Sequence, residues 1–363
     1  MRGIRALAAG VVGGIVAGLA AAGGALAAEP AFQPHDYVLK DFKFRSGETL
    51  PELKLHYYTL GQPKKDASGR VTNAVLILHG TGGSGRQFTA PQFSGVLFAP
   101  GGVLDPARYF LIMPDDIGHG ASSKPSDGLH MRFPHYDYFD MVEAEHAIVS
   151  QALGVQQLRL VMGTSMGCMH SFMYVEMYPD GARAAMPLAC QTVALGGRNR
   201  LWREMAITSI KADPAWQDGE YEAEPQLGLR GAENLLILAG QSAWPMQIAM
   251  PRGEQVDAWY AGQIAQRLKT AEANDMIYQL EASRTYDPSP DLEKIKAQVT
   301  WVNSSDDFIN PPELGLAQAE VKRIKNGRFV LIPFGPDTHG HGTHTWAAFW
   351  KNDLADLLKR SGG

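Results

Sequence analysis

A short strand pattern, Leu158 to Met162, passes without a connecting loop into Gly163-Thr164-Ser165-Met166-Gly167 and then into a helical pattern over 166–178. A buried strand that turns straight into a helix leaves little room at the corner, and the two glycines suit that crowding. The turn lifts the Ser165 hydroxyl above the end of the strand. The five-residue pattern alone is a modest signal in a chain with 39 glycines. Its position between strand and helix makes it a strong one, and favours a nucleophile over a packing turn with an incidental serine.

The rest of the chain supplies the frame this turn needs. Tyr37 to Phe44 and Leu53 to Tyr58 read as edge strands joined at Ser46-Gly47. Val75 to Leu78 and Tyr109 to Met113 are continuous apolar runs, as expected of strands buried on both faces. Asp140 to Leu153 has helical apolar spacing and stops at Gly154, and Ala184 to Leu188 is another short strand. Strand patterns return at Val299 to Asn303 and Phe329 to Ile332, before a last helix from about Thr343 to Leu358. Strands alternating with helices predict an α/β fold, a mainly parallel sheet covered on both faces. Between 191 and 285 the alternation stops, and a segment rich in Trp, Met, Arg and Gln reads as an inserted helical cap. The expected organisation is an α/β core over 29–190 and 286–363, with the cap over 191–285 between its two parts.

A serine hydroxyl needs a base to take its proton. Thr338-His339-Gly340-His341-Gly342-Thr343-His344 follows the last strand pattern and offers three histidines. His341, flanked by glycines, is preferred; His344 is read as starting the last helix, and His339 comes third. A metal site is the rival reading of this cluster, but no matching carboxylate–histidine spacing accompanies it. The orienting acid is expected after Val299 to Asn303, where Asp307 is chosen over Asp306 because it stands four residues before Pro311. The order Ser165, Asp307, His341 is that of α/β-hydrolases. Oxyanion donors are expected from the backbone N–H of Met166 and from the loop after His79-Gly80, at Thr81, or at Gly82 if the loop is shifted. That loop lacks the Gly-Lys-Ser/Thr ending of a phosphate-binding loop. No metal or organic cofactor is called for.

Net charge is -5, which leaves no basic footprint for nucleic acid. Arg2 and Arg5 precede an apolar Ala/Gly/Val run over residues 6–26, and Ala25-Leu26-Ala27 resembles a cleavage site before Glu29. Residues 1–28 therefore read as a signal peptide, giving an exported protein, periplasmic or secreted, with no stable membrane insertion after cleavage. The alternative is an uncleaved anchor, for which the run is only weakly hydrophobic. Cys168 and Cys190 are the only cysteines, and two packed thiols are expected rather than a disulfide. The cap's Trp202, Trp216, Trp244 and Trp259 are read first as core packing, with a pocket wall or a homodimer contact through the cap as other uses.

Phe133-Pro134, Tyr138 to Val142, Leu153-Gly154-Val155 and Gly163 to Met169 together resemble the homoserine O-acetyltransferase family. That family shows FP-x-x-T-x-x-D-M, a leucine-glycine turn and G-G-S-M-G-G-M-Q in the same order. Ile210 to Trp216, with Gly219 and Tyr221, is similar to that family's cap, so the resemblance covers most of residues 35–350. It implies an α/β-hydrolase fold with a helical cap and an acyl-enzyme formed on a triad of Ser165, Asp307 and His341. Departures are specific. Gly342 stands where the family carries an aspartate after its histidine, Ile207 where it carries a cap arginine, and Thr164 and His170 replace a glycine and a glutamine. The family uses cytoplasmic acetyl-CoA, whereas this chain reads as exported. The expected function is thus hydrolysis of a small-molecule acyl ester. An acyltransferase working through the same intermediate, and a non-catalytic binding protein on this scaffold, are the rivals.

Overall fold

In the computed structural model, residues 32–362 are described; the export segment expected over 1–28 lies outside them. Eight strands form one sheet: β1 (Gln33–Lys43), β2 (Thr49–Leu60), β3 (Ala74–Leu78), β4 (Phe110–Pro114), β5 (Leu160–Thr164), β6 (Ala184–Leu188), β7 (Gln298–Ser304) and β8 (Gly327–Ile332). Their spatial order is β1-β2-β4-β3-β5-β6-β7-β8. The β1–β2 and β2–β4 pairs are antiparallel, so β2 alone is reversed, and all pairs from β4 onward in that order are parallel. Every residue of β3, β4, β5 and β6 is buried, which is why these strands are apolar but for Thr164 rather than alternating.

Helices cover both faces. Helix α1 (Pro91–Leu97) lies with the C-terminal helix on one side, where Phe93, Leu97, Trp350 and Leu354 share a core with Val75 and Met162. The other side carries α2 (Tyr138–Ala147) and α3 (Met166–Met177), whose Met141, Val142, Phe172 and Val175 pack with Leu76, Val161 and Trp301. Asp137 caps α2, accepting from the Phe139 and Asp140 N–H groups at 2.9 and 3.2 Å. A wider helical turn at Ile148–Ala152 continues that path.

From 191 to 285 five α-helices follow one another with no intervening strand among the described residues. They are α4 (Gly197–Lys211), α5 (Gln226–Gly240), α6 (Ala243–Ala249), α7 (Gly253–Arg267) and α8 (Ala273–Glu281). They have their own apolar centre, in which Trp202 and Trp216 are buried beside Ile207, Ile210 and Leu229. Core packing accounts for those two tryptophans, whereas Trp259 is half-buried and Trp244 exposed.

One element is added and two expectations are corrected. Helix α9 (Leu316–Glu320) is an element that the sequence reading did not separate. The last helix, α10, spans Lys351–Arg360 rather than starting near Thr343; two tight 3₁₀ turns, Gly340–Thr345 and Ala347–Phe349, precede it. Cys168 and Cys190 form a disulfide, with Cα atoms 5.7 Å apart. Thr164 on β5 pairs with Leu188 on β6, so the turn into α3 and the end of β6 emerge side by side and carry the two cysteines with them.

Candidate active site

At the C-terminal end of β5 the chain reverses through Ser165, which holds φ 56° and ψ −109°. Such a backbone is sparsely populated by any residue with a Cβ and costs energy that the surroundings must supply. The flanking glycines are dictated by contact: a Cβ on Gly163 would sit 2.2 Å from the Gly167 carbonyl oxygen, and one on Gly167 2.1 Å from that of Leu78. The corner is pinned by its neighbours, since Ser165 N–H donates to Leu188 O and Gly167 N–H to His79 O, both at 2.9 Å.

His341 arrives from the 3₁₀ turn after β8, with its Nε2 2.8 Å from Ser165 Oγ. Its Nδ1 lies 3.0 Å from each carboxylate oxygen of Asp307. That pairing puts the proton on Nδ1 and leaves Nε2 to accept from the serine. Burial works to raise the Asp307 pKa, but the interaction with His341 and hydrogen bonds from His341 and Asn310 outweigh it and hold the carboxyl below its ordinary range. Asn310, which sequence reasoning missed, also donates from Nδ2 to Ala189 O at 2.9 Å and so ties the Asp307 loop to β6.

The competing residues do other things. Asp306 accepts from Ser242 Oγ, Thr338 Oγ1 and Gly340 N at 2.6, 2.7 and 3.1 Å, bracing the histidine loop against the cap. His344 packs edge-on against His341 with ring centres 4.9 Å apart, and burial pushes its pKa down to about 3. His339 stacks on Trp346 at 4.0 Å.

The loop after β3 closes over the serine. Gly80 comes so near that a Cβ there would lie 3.4 Å from the Ser165 Cβ. Gln87 clamps this loop, accepting from Gly80 N–H at 3.2 Å and donating to Thr164 Oγ1 at 2.9 Å. Thr164, a departure from the family pattern, thus anchors the clamp. The N–H groups of Thr81 and Met166 donate to no protein acceptor among the described residues. A cavity of about 390 Å³ opens beside Thr81 and Gly82, walled by the cap residues Arg267, Glu272, Met276 and Gln279.

Behind the serine lies a second polar group that the sequence did not reveal. Asp116, Glu145 and His170 are all buried, with ligand-type atoms within 4.8 Å of one another, so their donor set has the composition of a metal site. His170, the other family departure, holds Glu145 at 2.6 Å. Burial pushes Asp116 and Glu145 both up to about 8 and His170 down to about 4. Burial thus favours the uncharged form of each of the three groups.

Residues 73–339 match the family described as alpha/beta hydrolase fold. The chain is 30% identical over 332 residues to a homoserine O-acetyltransferase of Pelobacter propionicus, covering 82% of this chain and 87% of that one. Its fold is similar to that of the acetyl esterase MekB (TM-score 0.78, 23% identity, 91% and 97% of the two chains). It is equally similar to that of an acetylester hydrolase from Corynebacterium glutamicum (TM-score 0.78, 21% identity, 90% and 96%). By sequence, then, this chain belongs to the α/β-hydrolase fold family, on its homoserine O-acetyltransferase-like branch, and is an enzyme of that fold.

Proposed function

We propose that the protein hydrolyses a small acyl ester through an acyl-enzyme on Ser165. The observation that carries this reading is the unbroken line from Asp307 through His341 to Ser165 Oγ, at 3.0 and 2.8 Å. His341 Nε2 takes the Ser165 proton as Oγ attacks the ester carbonyl, and Asp307 stabilises the imidazolium. The N–H groups of Met166 and Thr81 receive the oxyanion. The imidazolium then protonates the leaving alcohol, and a water activated by the same histidine releases the acid. No metal or organic cofactor enters these steps.

An acyltransferase is the second reading, favoured by the similarity to the Pelobacter propionicus acetyltransferase. Water is preferred as acceptor because Gly342 follows His341 where that branch places an acid to hold the amino acid substrate. Export of the chain, read from Arg2, Arg5 and the apolar run behind them, fits an enzyme that needs no acetyl-CoA; cell fractionation and N-terminal sequencing of the mature protein test it.

The deciding experiment is turnover of 4-nitrophenyl acetate by the mature protein and by Ser165→Ala, with and without homoserine. Release that needs Ser165 and ignores homoserine is expected. Acceleration by homoserine together with an O-acetylated product would replace hydrolysis by transfer, and turnover undiminished in Ser165→Ala would remove the serine mechanism.

A further inference from the structure

Behind the nucleophile turn, four parts of the chain bring ligand-type side chains to one buried point. His79 follows β3, Asp116 follows β4, Glu145 stands on α2 and His170 on α3. None of the four is more than 3% exposed. Among the described residues the two carboxylates pair only with histidines. His170 Nδ1 lies 2.6 Å from Glu145 Oε1 and 3.7 Å from Asp116 Oδ2, and His79 Nε2 lies 3.5 Å from that same Asp116 oxygen. No N–H or hydroxyl of the described residues donates to either Asp116 oxygen or to Glu145 Oε2, and His170 Nε2 has no partner there. His119, whose ring centre is 4.9 Å from that of His79, also leaves its Nε2 without one.

Buried polar groups as a rule find partners, and one that does not costs energy. Two neighbouring buried carboxylates cost more, since burial disfavours the charge of each and each disfavours the other's. The metal-free protein can meet that cost only by protonating them. A divalent cation meets it differently: two carboxylates balance its charge, and neutral imidazoles complete its shell.

The spacing suits a small ion. Tetrahedral zinc, bound at about 2.0–2.2 Å, holds its donor atoms roughly 3.3–3.6 Å apart. The edges from Asp116 Oδ2 to His170 and His79 are 3.7 and 3.5 Å. The His170–Glu145 edge, drawn in to 2.6 Å by a hydrogen bond, would open by roughly 0.7 Å once the bridging proton leaves. His79 is held in the tautomer a ligand needs: Nδ1–H donates to Gly80 O at 2.8 Å, so Nε2 carries the lone pair. That nitrogen accepts only the Asp116 N–H, at 3.2 Å.

We propose that Asp116, Glu145 and His170 bind one divalent transition-metal ion of the zinc type, with His79 Nε2 as the fourth donor. The ion is structural and lies outside the acyl-transfer steps. It ties α2 and α3 to the loops after β3 and β4, behind the Ser165 corner. The site stands whether or not the protein is an esterase, because its readouts are metal content and stability.

The test is to unfold the purified protein in urea with EDTA, disulfide intact, and refold it with or without zinc chloride. Bound zinc is then counted by plasma mass spectrometry after desalting. One zinc per chain is expected in the wild type. At free zinc a hundredfold above Kd, its melting temperature should stand about 5 °C or more above that of the metal-free protein. Glu145→Gln and His170→Gln should each lose both the ion and the shift, whereas His339→Gln, in the other histidine cluster, should keep them. Cobalt(II) in place of zinc should give the intense visible bands of a four-coordinate ion, which His79→Asn should alter. A wild type that retains no zinc would overturn the proposal and leave a shared proton between the two carboxyls. Zinc held equally by Glu145→Gln and His170→Gln, or zinc that leaves the melting temperature unmoved, would overturn it too. So would the weak bands of six-coordinate cobalt, a wild-type measurement that stands even if a variant fails to fold.

Discussion

Replacing Ser165 by glycine should leave the protein more stable than replacing it by alanine, although both variants are expected to be inactive. Ser165 holds φ 56° and ψ −109°, a conformation costing about 1–3 kcal/mol for a residue with a Cβ. Alanine keeps the Cβ and the strain, and loses the hydrogen bond to His341, a loss of about 1 kcal/mol. Glycine loses the same bond but sheds the strain, roughly 2 kcal/mol, against about 0.5–1 kcal/mol of added unfolded-chain entropy. The difference is about 1 kcal/mol in favour of glycine. The corner should keep its shape, because the Ser165 N–H to Leu188 O and Gly167 N–H to His79 O bonds are backbone bonds present in both variants. Urea unfolding of the two variants with the disulfide intact measures the gap as a shift in midpoint at constant slope. In a chain of this size it corresponds to a melting shift of about 2 °C. A glycine variant no more stable than the alanine variant would refute the claim that strain is stored at the nucleophile.

Asp307→Asn should lower kcat by about a thousandfold or more while leaving substrate binding nearly intact, since it removes the charge that stabilises the His341 imidazolium. Asp306→Asn, on the residue that braces Ser242, Thr338 and Gly340, should instead lower the melting temperature with a smaller kinetic effect; the reverse pattern would exchange their roles. The Cys168→Ala/Cys190→Ala pair should cost about 3 kcal/mol in urea unfolding, from the entropy of the 22-residue separation it closes; an unchanged midpoint would count against this estimate. The pH dependence has a definite sign. Asp116 and Glu145 are raised to about 8 in the folded protein, whereas unfolded carboxyls titrate near about 4. In the metal-free protein their contribution to stability is complete below about pH 4 and is lost as pH rises through about 8. Glu145→Gln should flatten that decline in the urea midpoint, and a wild-type midpoint constant from acid to mild alkali would argue against a protonated pair.

What the sequence by itself determined here is what local sterics and periodicity encode. Continuous apolar runs such as Val75 to Leu78 and Tyr109 to Met113 mark strands covered on both faces, and Gly163 and Gly167 mark a corner where a side chain would strike a carbonyl at about 2 Å. Those signals need no partner elsewhere in the chain. They also bring Ser165, an acid after β7 and a histidine after β8 to one edge of a parallel sheet, because all three follow C-terminal strand ends. Only the tertiary structure decided which groups meet across that edge. The 164–188 pairing of β5 with β6 joins Cys168 to Cys190, overturning the expectation of free thiols. Gln87 finds Thr164, Asn310 finds Asp307, and Asp116, Glu145 and His170 converge from separate elements. Contacts between residues distant in the chain depend on register and helix rotation, which no short window of sequence specifies.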